Sequence, residues 1–262
     1  MVLAMEPSAD WNPEQYARFR DERSRPFFEL LALVRPRDAM RIVDLGCGSG
    51  ELTERMHVQL VARETLGIDT SDAMLGMAAA RAGGSLRFEK HDIATFTAAE
   101  PFELVFSNAA IHWVDDHPRL LARLTSLLAP GGQLAVQIPA NDDHPAHTVA
   151  RELAREEPFR GALGGYERVL PNLRLDAYAS LLHRLGFREQ VVRMNVYPHL
   201  LAAREDVVEW VKGSLLTDYE KRMSRELWSQ FLAGYRERLL PQLEGTKPYF
   251  YPFKRILFWG AL

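Results

Sequence analysis

Short apolar runs alternate with amphipathic stretches through the first half of the chain. Arg41 to Leu45, Leu66 to Asp69, Leu86 to Glu89, Phe102 to Ser107 and Gln133 to Ile138 are short, β-branched or aromatic, and bounded by turn residues. That pattern predicts buried strands. Between them lie helical periods. Glu51 to Ala62 is one. Ser71 or Asp72 caps a second, which carries Met74, Leu75 and Met77, and His117 to Leu128 is a third, stopped by Pro130-Gly131-Gly132. Upstream, Asn12-Pro13 reads as a cap with proline at the first helical position, leading through Tyr16 and Phe19. Pro26 opens another helix, with Phe27, Leu30, Leu31 and Val34 on one face.

Beyond residue 140 the alternation loosens. Residues 141–174 hold a helix and a glycine-rich link. Asp176 to Leu185 is an amphipathic helix stopped by Gly186. Arg188 to Tyr197 reads as a sixth strand, 203–243 as helical and aromatic, and Ile256 to Trp259 as a last strand. Strands alternating with helices predict an α/β fold, a doubly wound, Rossmann-like, seven-stranded and mostly parallel sheet. The long stretches 140–175 and 200–250 exceed ordinary connections and predict a helical cap inserted into a single domain. Residues 38–139 form the core of this reading, and 1–37 an N-terminal helical lid.

Composition narrows the function classes. The chain has 262 residues, 47% hydrophobic and 26% charged, with a net charge of −3. No general basic surface points to nucleic acid or an anionic membrane. No apolar run approaches the ~18 residues of a membrane span, and the N-terminus lacks a signal-peptide pattern. Cys47 is the single cysteine, which suits a reducing, cytoplasmic setting. His144, His147, His183 and His199 show no metal-ligand spacing, so no metal is expected.

The chemistry concentrates at the strand ends. Arg41-Ile42-Val43 runs into Asp44-Leu45-Gly46-Cys47-Gly48-Ser49-Gly50 and then a helix. Strand, glycine turn and helix N-terminus make a nucleotide-binding corner. Asp44, two residues before the first glycine, selects a cationic ligand over a pyrophosphate. The glycine spacing also differs from G-x-G-x-x-G. The reading is S-adenosyl-L-methionine, with S-adenosyl-L-homocysteine as product, bound by Asp44, Gly46, Cys47, Gly48 and Gly50. Asp69, 25 residues after Asp44 and followed by Thr70, is placed to accept ribose hydroxyls. Asp92 and Ile93 follow strand three and are read as partners of the adenine amino group and ring. Asn108 faces the methionine part. His112 is a candidate general base or a packed histidine, and Trp113 a wall of the pocket. Tyr16 and Arg25 are candidates to close on the cofactor's carboxylate. Tyr249, Lys254 and Arg255 are candidates for the acceptor.

These residues carry a resemblance. Residues 38–139 resemble a class I S-adenosylmethionine-dependent methyltransferase. More narrowly, the chain is similar to the trans-aconitate 2-methyltransferase family. The similarity rests on Asp10-Trp11-Asn12-Pro13 with Tyr16 and Phe19, Glu22 to Pro26, Asp44 to Gly50, Gly67-Ile68-Asp69, Ser107-Asn108-Ala109 with His112-Trp113, and Ala135 to Pro139. It implies methylation of a carboxylate on a small tricarboxylic acid. One departure is visible: Thr217 stands where the resemblance leads one to expect an arginine after the tryptophan of the cap. An O-methyltransferase of phenolic or hydroxylated acceptors is the alternative, with a nicotinamide-dependent oxidoreductase as the rival class.

Overall fold

The structure, a computed structural model, describes residues 20–262. The expected helix through Tyr16 lies outside them. Seven strands form one sheet, β1 (Arg41–Leu45), β2 (Glu64–Asp69), β3 (Leu86–Lys90), β4 (Phe102–Asn108), β5 (Leu128–Pro139), β6 (Glu189–Leu201) and β7 (Tyr249–Ala261). Their order is β3-β2-β1-β4-β5-β7-β6. β1 pairs in parallel with β2 and β4, β2 with β3 and β4 with β5, while β7 runs antiparallel to β5. The strand order reverses direction at β1 and β4. Ligands of such sheets bind beyond the carboxyl ends of the strands at that switch.

The helices are α1 (Arg20–Leu31), α2 (Glu51–Gln59), α3 (Asp72–Ala78), α4 (His117–Ser126), α5 (Pro145–Ala154), α6 (Phe159–Leu163), α7 (Leu175–Arg184), α8 (Asp206–Lys212), α9 (Thr217–Glu220) and α10 (Arg225–Leu239). The chain divides into two compact units. One comprises residues 25–142, 169–199 and 252–262 and holds most of the sheet. The other comprises, among the described residues, 20–24, 143–168 and 200–251.

Both faces of the sheet unit are apolar. Val43, Leu45, Val105, Val136 and Phe258 pack with Leu121 and Leu124 of α4 and with Tyr178 and Leu182 of α7. On the opposite face, Ile42, Leu104, Phe106, Ala135 and Leu257 pack with Phe27, Leu30 and Leu31 of α1. From Arg25 onward, the stretch expected as a lid therefore belongs to the sheet unit. Its apolar face is large enough to be held against the strands by burial.

In the second unit the aromatics expected at 203–243 cluster around Phe231. Phe159, Tyr219 and Trp228 lie 5.2, 5.3 and 5.8 Å from it between ring centroids. Tyr235 donates to the carbonyl of Ala146 at 2.8 Å, tying α10 to α5.

Several boundaries differ from the sequence reading. Pro26 sits inside α1 rather than opening a helix, because the helix is already formed upstream and the proline only removes one N–H. α2 stops at Gln59, where Val61 turns to φ 48°. β5 begins at Leu128 and continues through Pro130-Gly131-Gly132 as an irregularity. Phe102 is opposite Leu128, yet Leu104 is opposite Gln133. Gly131 takes φ 69° there, and Pro130 is exposed. The breaker residues thus make a bulge at the strand entry instead of ending the helix. β7 is 13 residues long because the aromatic run from Tyr249 forms its first part.

Candidate functional site

The glycine turn is built by steric demand. β1 ends at Leu45, and the N–H groups of Gly46 and Cys47 both donate to the carbonyl of Ile68, at 2.8 and 2.9 Å. This folds the turn onto the end of β2. Gly46 has φ 80°, and a Cβ there would lie 2.2 Å from the Cβ of Ala110. Gly50, at φ 73°, would meet the Phe88 ring at 2.6 Å. Gly48 differs. Its φ is 56°, but a Cβ would meet nothing within 4 Å. Backbone here borders open space, as a ligand cradle requires.

Asp44 is buried, and Thr53 Oγ1 of α2 donates to its Oδ2 at 2.6 Å. Burial raises its pKa to about 7 against that hydrogen bond, and the nearby charge of Asp69 adds to the rise. An acid held this way discharges its cost by meeting a cation. Burial, with the charges of Asp44 and Asp69, pushes the Cys47 thiol far up, so it stays protonated. Cys47 contributes backbone to the turn and no nucleophile.

Asp69 at the tip of β2 accepts the Gly48 N–H at 3.0 Å and the Ser71 N–H at 2.9 Å, one on each oxygen. It therefore braces the glycine turn, and each oxygen keeps accepting capacity. Ser71, not Asp72, caps α3, accepting from the Met74 N–H at 3.3 Å. Thr70 is exposed beside it. After β3, Asp92 Oδ1 accepts the Ala94 N–H at 2.8 Å in a local turn, which also places Ile93 Cδ1 near Gly46. Arg123 of α4 donates to the carbonyls of Ile93 and Phe96 and fixes this loop from behind.

β4 ends at Asn108, opposite Gln137 of β5. Asn108 Oδ1 is buried and has no hydrogen-bond partner among the described residues. Ala109 then takes φ 53° and donates its N–H to the Gln137 carbonyl at 2.8 Å. The turn carries Ala110 against Gly46 and leads into Ile111-His112-Trp113. His112 is buried and Trp113 is half-exposed, with ring centroids 5.1 Å apart. His117 bonds Tyr178 and the Ile111 carbonyl, which anchors this segment.

Asp44, Gly46, Cys47, Gly48, Gly50, Asp69, Thr70, Asp92, Ile93, Asn108, His112 and Trp113 thus all follow from the carboxyl ends of four neighbouring strands. Arg25 pairs with Glu29 at 2.8 Å and lies over the Tyr197 ring. Tyr16 lies outside the described residues. Tyr249 is buried in the second unit, next to Tyr251 at 6.5 Å. Lys254 donates its backbone N–H to Asn141 Oδ1 at 2.6 Å. Arg255 is buried on β7, where its Nη1 donates to Gln137 Oε1 at 3.1 Å. Thr217 donates its hydroxyl to the Lys212 carbonyl at 2.9 Å, a local closure after α8.

Sequence reasoning did not single out Gln137, which accepts from Arg255 near the end of β5. Its signal was present: a polar side chain in the apolar run Leu134 to Ile138 of a central strand. Gln133 gives the same signal on the same face, but it is fully engaged with Arg35 and Trp259.

The donor set suits S-adenosylmethionine. Acids stand at two strand tips, an acceptor is orphaned at a third, and Gly48 backbone borders open space.

Comparisons with known proteins agree. A family model described as a methyltransferase domain matches residues 16–191. A trans-aconitate 2-methyltransferase of Deinococcus radiodurans is 42% identical over 254 residues, covering 95% of this chain and 96% of that protein. One of Variovorax paradoxus is 40% identical over 232 residues, covering 88% and 89%. Among solved structures, the YcgJ protein from Bacillus subtilis shares the fold with a TM-score of 0.59 at 16% identity, covering 90% of this chain and 97% of that one. The nicotinamide-dependent reading is set aside by these matches. The chain belongs to the S-adenosylmethionine-dependent methyltransferases, within the family of the trans-aconitate 2-methyltransferases.

Proposed function

We propose that the chain methylates a carboxylate oxygen of a small, multiply charged acid, with trans-aconitate the first acceptor to test. The observation that carries this is the 42% identity over nearly the whole length of a relative with that name. The buried guanidinium of Arg255 supports it independently, since such a group is suited to a planar anion. Thr217 lacks the charge expected at its position, so Arg255 and Lys254 are the cations assigned to the acceptor in this reading. Trp113 is its apolar contact.

S-adenosylmethionine supplies an activated methyl group on a sulfonium sulfur. Asp44 and Asp69, with the backbone of Gly46, Cys47, Gly48 and Gly50, would hold it. Thr70, Asp92 and Ile93 would border its nucleoside and Asn108 its amino-acid end, with Arg25 at the cofactor's carboxylate. A carboxylate acceptor is ionised near neutral pH and needs no base. The residues then have to orient it, hold its charge and exclude water. His112 is assigned to position the acceptor rather than to remove a proton. The net charge of −3 supports a small molecule over nucleic acid as partner, and the single cysteine supports a cytoplasmic setting. No described helix is long and apolar enough to cross a membrane.

The test is an incubation with methyl-labelled S-adenosylmethionine and a panel of trans-aconitate, monocarboxylates, phenols and amines. Label transferred efficiently to trans-aconitate is the expected result. Transfer confined to phenols or amines would refute the reading.

A further inference from the structure

Two glutamines stand four residues apart on β5, and their surroundings differ in a telling way. Both are fully buried, on the same face of the strand. Gln133 has every role filled. Its Oε1 accepts from the Arg35 N–H at 2.8 Å and from Trp259 Nε1 at 3.0 Å, and its Nε2 donates to the Arg35 carbonyl at 2.8 Å. It is a structural bracket. Gln137 has one side filled. Arg255 Nη1 donates to its Oε1 at 3.1 Å. Its Nε2 is closed off from water and has no hydrogen-bond partner among the described residues.

The orientation of that amide is not arbitrary. A guanidinium carries only donors, so the oxygen of Gln137 must face Arg255 and the NH2 must point away. A buried donor without an acceptor is disfavoured, and such groups mark places where a missing partner belongs. The location supports a ligand. Gln137 is opposite Asn108, whose Oδ1 is likewise buried without a described partner. Both lie toward the carboxyl ends of their strands, β4 and β5, and β4 adjoins β1 and its glycine turn. Arg255, opposite Pro139, completes the face.

We propose that Gln137 is a specificity-determining residue, with its Nε2 donating to a carboxylate oxygen of the acceptor while Arg255 locks the amide in that orientation. A carboxylate accepts from several donors at once and carries the charge that the Arg255 guanidinium complements. An amine acceptor would find donors facing donors, and a phenol would gain one neutral bond. This inference rests on the carboxylate-methylation reading above. It goes further by naming the group that separates an acid from other nucleophiles. In this role Arg255 is also a positioning residue.

The experiment compares wild type with Gln137→Met and Gln137→Glu. Methionine keeps the shape and deletes the donor. Glutamate keeps the bond from Arg255 and sets a negative charge against the acid. Steady-state kinetics on trans-aconitate and calorimetric binding of S-adenosylhomocysteine are measured for each. KM for the acid should rise about 10-fold for Gln137→Met and more for Gln137→Glu, the scale of a lost hydrogen bond to a charged group. S-adenosylhomocysteine affinity should stay within about twofold. Gln133→Met, on the same face, should lower thermal stability and leave KM within about twofold.

KM within about twofold of wild type for both Gln137 variants overturns the proposal. So does a parallel loss of S-adenosylhomocysteine affinity, which would assign Gln137 to the cofactor. Wild type inert toward trans-aconitate but active on another acid overturns the choice of trans-aconitate alone. The same variants are then read on that acid. Wild type inert toward every acid overturns both readings.

Discussion

Replacing Gly46 with alanine probes the central turn most sharply, because the structure gives the cost in separable parts. At φ 80° a non-glycine residue is strained by roughly 1–2 kcal/mol. The added Cβ would also lie 2.2 Å from the Cβ of Ala110, far inside contact distance, where overpacking costs about 1–3 kcal/mol. The next atoms, Ala110 Cα and Ile93 Cδ1, are at 3.6 and 3.7 Å and need not move. The Gly46→Ala variant should therefore lose about 2–5 kcal/mol in urea unfolding. Gly48→Ala has φ 56° and open space, so it should lose only the backbone share, about 1–2 kcal/mol. Binding should rank them differently. Gly48→Ala fills the space assigned to the cofactor and should weaken S-adenosylhomocysteine although it folds well. The decisive control is Ala110→Gly, which removes the clashing methyl. In the double variant with Gly46→Ala, about 1–3 kcal/mol should return as coupling energy. Equal costs at Gly46 and Gly48, or no recovery with Ala110→Gly, would refute the steric account of the turn.

Three further outcomes follow from the same geometry. Asp69→Ala removes the acceptor of two backbone N–H groups as well as the proposed ribose contact, and should weaken S-adenosylhomocysteine by ~1–3 kcal/mol by calorimetry; unchanged affinity would remove Asp69 from the site. Asp44 keeps its proton to pH about 7 when folded but only to ~4 when unfolded, so between these values the folded state binds one more proton and stability falls as pH rises, levelling above 7. Asp44→Asn should flatten that slope in unfolding measured from pH 4 to 8, and S-adenosylhomocysteine binding near pH 6 should release close to one proton, read as a dependence of binding heat on buffer. His112→Ala should lower kcat by less than about tenfold, whereas a loss of ~10²–10⁴ would make His112 a base acting on a hydroxyl.

The parts of the site legible in the sequence are those governed by local rules. A β-branched run, an acid and glycines at short spacing specify β1 and its turn whatever surrounds them. Ser71 is a cap that the sequence recognises by its position before an apolar period. Long-range pairing is less visible. Pro130-Gly131-Gly132 reads as a stop, yet it becomes a bulge because β4 continues alongside and supplies ladder partners on both sides of it. Pro26 resembles a helix start, and only the upstream helix makes it an interior residue. The last strand reads as starting at Ile256, because the aromatic run from Tyr249 to Phe253 gives no clear local signal of its pairing. The alternating burial of that run instead marks the entry of β7, with Tyr249, Tyr251 and Phe253 turned inward and Phe250 exposed. Gln133 and Gln137 are indistinguishable as letters in an apolar strand. Their difference lies in partners roughly 100 residues away in sequence, which no local rule contains.

The account stands or falls on which atom receives the methyl group. The direct measurement is the alkaline stability of the labelled product formed from methyl-labelled S-adenosylmethionine and trans-aconitate. A carboxylate methyl ester is cleaved by mild base, and the account predicts that all label leaves as methanol. Label that survives base, as in an ether or an N-methyl product, would contradict it.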